Sequence, residues 1–338
     1  MTGGQETMLI NIANEQVKDH EVIVMIVNDD YDQNLIKLFD KRVKIERIGR
    51  PRSSKNPWYF IKLNMRILLL KPYVVHSHYE KLVNYLLIVG YKFIYTIHGF
   101  TIPPKFLRSN KNLVAISKGI QKDVMDRANT QSIVIYNGLK VDMIKQRCTV
   151  EGYSSERIFR IVQVSRLFHE VKGQDVLLNA LSILQKKGYA NIHLDFIGEG
   201  DSYDFLKSLV DKLQLTNVSF LGTKSVDYIS ENLCSYDLFV QASRHEGFGL
   251  TVAESMAAKV PVIISDCDGL MEVVDNGRYS LVFENGSAED CASKIEEILN
   301  TSVVELQTRV DLACDFVNKN FNVKATAANY IKYYRQCE

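Results

Sequence analysis

Short uninterrupted apolar runs recur along the chain, separated by stretches whose apolar residues follow helical spacing. Residues 21–27 are apolar after Glu21, the pattern of a strand buried on both faces of a parallel sheet. Further strands are predicted at 44–48, 73–78, 92–97, 112–116 and 132–136, with helical stretches between most of them. Residues 142–157 then turn polar around Gly152, Ser154 and Ser155, which reads as an interdomain linker. Alternation restarts with strands at 160–164, 193–197, 218–221, 238–241, 262–265 and 280–283. Strand and helix in turn predict an α/β chain of two doubly wound, Rossmann-like sheets. The expected domains are 1–150 and 151–320, with 321–338 a C-terminal helix whose Tyr330, Tyr333 and Tyr334 pack back on the first domain. At the start, Met8, Leu9, Ile12, Ala13 and Val17 mark a helix behind Gly3-Gly4, with no strand before that glycine pair.

Composition narrows the function. A length of 338 residues suits two domains, and a net charge of +1 argues against nucleic-acid binding by general electrostatics. Six cysteines without CxxC spacing, and no secretory signal, predict reduced thiols in the cytoplasm and no structural zinc. No apolar run reaches the roughly 20 residues of a membrane span, so membrane contact would be peripheral, at the inner face. One patch departs from neutrality: Lys41 to Lys71 holds ten basic residues against Glu46 alone. Inside it, Asn56-Pro57 starts a helix with Trp58, Ile61, Met65, Leu68 and Leu69 in one stripe, flanked by Lys62 and Arg66. That pattern fits either a sheet-covering helix with a solvated basic face or contact with an anionic lipid surface.

Candidate chemistry centres on Glu246-Gly247-Phe248-Gly249-Leu250-Thr251, where a glycine turn joins a buried strand to a helix carrying Glu254. Such a turn lets backbone N–H groups at a helix N-terminus meet a phosphate. Arg166 and Lys172 leave the first strand of the second domain, at the sheet edge where α/β folds bind ligands. His76 and His78 share a face of their strand, but without a third ligand they do not predict a metal; His98 ends the next strand, in a cleft role or a structural one. Asp30-Tyr31-Asp32 and Asp266-Cys267-Asp268 imitate a metal-binding carboxylate pair and are read as chance triplets.

These segments, with Val74-Val75-His76-Ser77-His78, Thr96-Ile97-His98-Gly99, Tyr136-Asn137-Gly138-Leu139, Ile197-Gly198-Glu199-Gly200 and Phe220-Leu221-Gly222, make the chain resemble the family 4 glycosyltransferases of the GT-B fold. The resemblance implies two facing domains with a nucleotide sugar in the cleft, retention of configuration, and no metal or other cofactor. It implies that Arg166 and Lys172 hold the donor diphosphate, Glu254 the ribose and Glu246 the sugar, with Phe248, Gly249, Leu250 and Thr251 offering backbone groups. Gly3 and Gly4 would close over the phosphates, His98 line the sugar site, and Gly222 and Thr223 lie near the base. The implied reaction moves a sugar, from UDP in preference to GDP, to a glycan or polyprenyl-diphosphate-linked acceptor in surface polysaccharide assembly. A sugar-nucleotide-binding protein without turnover is the alternative. Three departures stand out: Lys259 where the family has glycine, Asp268 for the first of two glycines, and no strand before Gly3-Gly4. The first two would alter sugar preference, and the third predicts an open slot in the first sheet.

Overall fold

The computed structural model describes residues 4–79, 82, 85–86, 91–100 and 102–337. The chain divides into two compact units, Thr2–Leu139 with Phe321–Glu338, and Lys140–Asn320. The boundary thus lies at Leu139, not at 150. The polar stretch expected to be a linker is laid on the second unit instead. Arg147 and Arg157 both pair with buried Asp237 at 2.8 Å, Arg147 N–H donates to the Ala258 carbonyl, and Val150 joins that unit's core.

In the first unit every paired strand is parallel. β1 (Ile23–Asn28) pairs β2 (Lys44–Arg50), while β3 (Val74–Ser77), β4 (Lys92–Ile97), β5 (Leu113–Ala115) and β6 (Ile133–Val134) form a separate sheet in that order. Among the described residues no strand pairs the second edge of β1 or of β3. β1, expected to be buried on both faces, is only half-buried throughout. The two sheets still share an apolar layer: Leu63 and Ile67 of the Trp58–Leu70 helix cluster with Met25, Val27, Ile48 and Val75. The helix Val323–Gln336 lies against the helix Gly4–Gln16 through Met8, Ile12, Tyr330 and Tyr334. Its start is pinned by Leu139, which donates to the Phe321 carbonyl and accepts from Val323 N–H.

The second unit is one six-stranded parallel sheet. β7 (Phe159–Val164), β8 (Ile192–Ile197), β9 (Val218–Phe220), β10 (Leu238–Gln241), β11 (Val262–Ser265) and β12 (Leu281–Phe283) lie in the order 12-11-10-7-8-9. Chain direction across the sheet therefore reverses between β7 and β10, the switch point at whose carboxyl edge ligands bind in open α/β sheets. β10 and β11 are buried at every residue, as expected of central strands with helices on both faces.

Candidate functional site

Two loops leave the switch point, 165–173 after β7 and 242–249 after β10, and they are locked backbone to backbone. Arg244 N–H donates to the Val171 carbonyl at 2.8 Å. The Arg244 guanidinium donates to the His169 carbonyl at 2.7 Å and meets Asp175 through two 2.8 Å contacts. Gly173, at φ +64°, lies so close to Ala242 that an added Cβ would fall 1.8 Å from its carbonyl oxygen, so no side chain fits there. This lock sets Lys172 opposite Glu246, with Nζ to Oε2 at 2.6 Å and each side chain about four-fifths buried.

Buried amides hold the same frame, and they escape motif reading. Gln163 donates to the Lys172 carbonyl at 2.7 Å, and Gln174 donates to the Arg166 carbonyl at 2.8 Å. Gln241 donates to Ser243 Oγ, whose hydroxyl reaches Glu246 Oε2 at 3.3 Å. Their signal was a glutamine within, or just after, an otherwise apolar strand or at a helix start. Unlike Lys172, Arg166 is exposed and makes no ion pair among the described residues.

The glycine turn has the geometry expected of it. Gly249 adopts φ +99° and precedes the helix Leu250–Ala257, while Phe248 is buried. The first N–H that bonds back into that helix is Val252, to the Gly249 carbonyl at 3.1 Å. Leu250 and Thr251 therefore carry the N–H groups that a helix leaves to an outside acceptor. Gly269 supports the turn from below, because a Cβ there would lie 2.3 Å from the Glu246 carbonyl oxygen. Of the family's glycine pair, then, the second is the one with a steric reason to be glycine. Asp268 opens the helix Asp268–Val273, where a carboxylate suits the helix dipole. Lys259 adopts φ +59°, which accounts for glycine at that place in the family, and its ammonium pairs with Asp311 at 2.7 Å. Its side chain turns to the helix Val303–Asn320, where that pair is made.

Glu254 is partly buried, and loss of hydration pushes its carboxyl up to about 7. Gly222 and Thr223 follow β9; Gly222 accepts from Gly198 N–H at 2.9 Å, and Thr223 N–H faces Glu199 Oε1 at 3.4 Å. A Cβ on Gly200 would touch both the Leu167 carbonyl and Arg166 Cγ, so the loop after β8 abuts the loop after β7. Arg166, Lys172, Gly222, Thr223, Glu246, Phe248, Gly249, Leu250, Thr251 and Glu254 thus all belong to the second unit.

His98 and Gly4 belong to the first unit, and Gly3 lies outside the described residues. Gly4 is the exposed first residue of its helix, not part of a loop. His98 Nε2 and His78 Nδ1 lie 3.0 Å apart, while His76 bonds Tyr334 Oη and Thr96 Oγ1, each at 2.7 Å. Both His76 nitrogens are thereby engaged, so it has none to offer a metal. Burial lowers His76 to about 3 and His98 to about 4, and carries His78 well below its usual range, so all three are neutral imidazoles. Of the Asp triplets, Asp30 pairs with Arg52, Asp32 caps the helix Gln33–Ile36, and Asp266 accepts from Asn285 N–H. Among the described residues no three His, Cys, Asp or Glu side chains gather as a metal site, and all six cysteines are free.

Comparison with known proteins agrees with this geometry. The Glycosyltransferase Family 4 profile matches residues 2–142, and the profile of Glycosyl transferases group 1 matches residues 154–313. An uncharacterised glycosyltransferase of Methanocaldococcus jannaschii is 29% identical over 58% of this chain and 52% of its own length. The chain thus spans about half the length of the curated relatives it matches first. An Escherichia coli O-antigen biosynthesis glycosyltransferase is 25% identical over 72% of this chain and 70% of its own. Among solved structures, Anabaena HepE in complex with UDP and glucose superposes with a TM-score of 0.81 at 19% identity, covering 99% of this chain and 96% of that one. Two Rossmann-like units, a switch point carrying Arg166, Lys172 and Glu246, and profiles that together span both units lead to one assignment: the chain belongs to the group 1, family 4 glycosyltransferases of the GT-B fold.

Proposed function

We propose that the protein transfers a sugar from a UDP-sugar, with retention and without a metal, to a hydroxyl of a glycan or lipid-linked acceptor in surface polysaccharide assembly. The observation that carries this reading is the Lys172–Glu246 pair beside the N-terminus of the helix Leu250–Ala257. An ammonium, an adaptable guanidinium and free first-turn N–H groups are what a departing diphosphate needs as charge grows on it. The bond from the anomeric carbon to the diphosphate oxygen breaks as the acceptor oxygen bonds to that carbon. The acceptor hydroxyl proton passes to the departing phosphate. Glu246 hydrogen-bonds sugar hydroxyls, and Glu254 accepts from the ribose. The UDP and glucose bound to HepE and the O-antigen role of the Escherichia coli relative support the donor and acceptor classes.

A second reading, nucleotide-sugar binding without turnover, draws on the edges of β1 and β3 that no strand among the described residues pairs. Thermal shifts with UDP, GDP, ADP and their sugars, followed by transfer from labelled donor, separate the two. A nucleotide at 100 times its Kd raises stability by about 2.7 kcal/mol. UDP stabilisation with labelled product supports transfer, and stabilisation without product under any acceptor mixture supports binding alone. No stabilisation by any nucleotide overturns both.

A further inference from the structure

The stripe Trp58, Ile61, Met65, Leu68 and Leu69 does not cover the sheet. The Trp58–Leu70 helix buries Leu63 and Ile67 and leaves the five stripe residues 46–69% exposed. At about 100° per residue these five and Lys62 occupy one arc of roughly 120°, opposite the buried pair. Tyr73, just beyond the helix, is exposed too. An apolar arc of this size facing water marks an interaction surface.

Charge identifies what the surface fits. Between Lys41 and Lys71, acids neutralise Arg42 (Asp40), Lys44 (Glu21), Arg52 (Asp30) and Arg66 (Glu46). Lys41, Arg47, Arg50, Lys55, Lys62 and Lys71 have no acidic partner among the described residues. Lys55 and Lys71 bracket the helix, and Lys62 lies at the edge of the exposed arc, its ammonium donating to the Ile48 carbonyl at 2.8 Å. No described helix is long and apolar enough to cross a membrane, and this one, of 13 residues, carries an exposed apolar arc with cations beside it, the arrangement of a helix that lies in the interface plane. Trp58 and Tyr73 stand at its two ends, where aromatic rings sit at headgroup level. A second copy docking symmetrically on this face would bring the same cations together, which costs energy instead of gaining it.

We propose that the Trp58–Leu70 helix is a docking surface for an anionic lipid bilayer, its apolar arc inserted at the acyl boundary and its flanking lysines on the headgroups. The proposal is independent of sugar transfer, so either can fail alone.

Trp58 is the chain's single tryptophan, so its fluorescence reports on this surface directly. The full chain is titrated with vesicles of phosphatidylcholine alone and of phosphatidylcholine with phosphatidylglycerol, at low and at high salt. The expected result is a blue-shifted emission and co-sedimentation with the anionic vesicles only, weakened by salt, because each basic residue near such a surface is worth roughly a fivefold gain. The Met65→Asp, Leu68→Asp, Leu69→Asp triple variant should lose at least tenfold in partitioning while keeping its melting temperature, since all three side chains are already exposed. An unshifted Trp58, equal binding to both vesicles, or full binding by the triple variant overturns the proposal. So does a blue shift that grows with protein concentration in the absence of lipid, which would assign the face to a second copy.

Discussion

The sharpest test of the site is to remove the charge of Glu246. In the unliganded protein that carboxylate neutralises Lys172 at 2.6 Å, with both groups about four-fifths buried, so water screens the pair less than a surface ion pair. A diphosphate that reaches Lys172 must share the ammonium and face the carboxylate at close range. Exposed pairs are worth up to about 1 kcal/mol and buried ones more, so about 1.4 kcal/mol is a reasonable cost for that competition. Glu246→Gln should therefore bind UDP about tenfold tighter while transfer falls about 100-fold or more, because the sugar loses a charged acceptor and keeps a single neutral amide oxygen. Lys172→Ala should bind UDP worse than loss of one cation alone implies, since Glu246 is then left unpaired facing the phosphates. The double variant should accordingly recover part of the affinity lost in Lys172→Ala, a non-additivity that only direct coupling produces. Calorimetry with UDP at constant ionic strength reads all three. If Glu246→Gln weakened UDP as much as Lys172→Ala did, with melting temperatures unchanged, the competition would not exist and the assignment of cation to diphosphate would fall.

Four other outcomes follow from the same structure. Gly269→Ala places a Cβ against the Glu246 carbonyl and should cost about 3 kcal/mol in urea unfolding and abolish UDP binding, whereas Gly188→Ala, at φ +95° but in open space, should cost about 1 kcal/mol. Glu254 is raised to about 7, so the native state binds more protons than the unfolded one between about 4.5 and 7; its contribution is present at low pH and lost as pH rises through that window, up to about 3 kcal/mol, and Glu254→Gln should remove the slope in urea midpoints. His98 and His76 are lowered, so the first unit should lose stability as pH falls below 6.5, by about 1.4 kcal/mol per unit for each histidine, read by hydrogen exchange in β3 and β4 and relieved by His98→Asn. Lys259→Gly relieves a left-handed backbone but loses the Asp311 pair, so stability should change by less than about 1 kcal/mol and donor preference not at all, as measured by urea melts and competing donors.

The strands were legible because parallel sheets bury both faces: Leu-Phe-Val-Gln of β10 and Val-Ile-Ile-Ser of β11 can hardly be anything else. The charged site residues were legible for a related reason, since an arginine, a lysine and a glutamate at the ends of such strands stand where a ligand does. The direction of the Trp58–Leu70 helix was not. That segment is apolar on nearly every side, and periodicity finds a stripe without saying which of two arcs the sheet takes. Residues 142–157 misled because their polarity is satisfied far away in sequence, with Arg147 and Arg157 on Asp237. A local pattern cannot distinguish a solvated arginine from one that closes a buried pair across the fold. The buried glutamines were missed similarly: their value lies in carbonyls supplied by other loops.

Those glutamines also hold the cations of the site in place. Gln163 and Gln174 fix the backbone at Lys172 and Arg166, so neither cation depends on a ligand for its position in the chain. The Lys172 charge is cancelled by Glu246, Arg166 is left to water, and Glu254 sits near its own titration point at neutral pH. Of these site residues, none carries a buried charge without a compensating partner. Under the proposed function, a diphosphate would replace Glu246 as partner of Lys172 and so free that carboxylate for the sugar as the phosphates are seated. Ribose hydroxyls, in the role proposed for Glu254, would supply the donors that favour its ionised form. On this account, binding of the intact donor should release protons below pH 7, and Glu254→Gln should abolish the release while leaving the Lys172–Glu246 exchange in place.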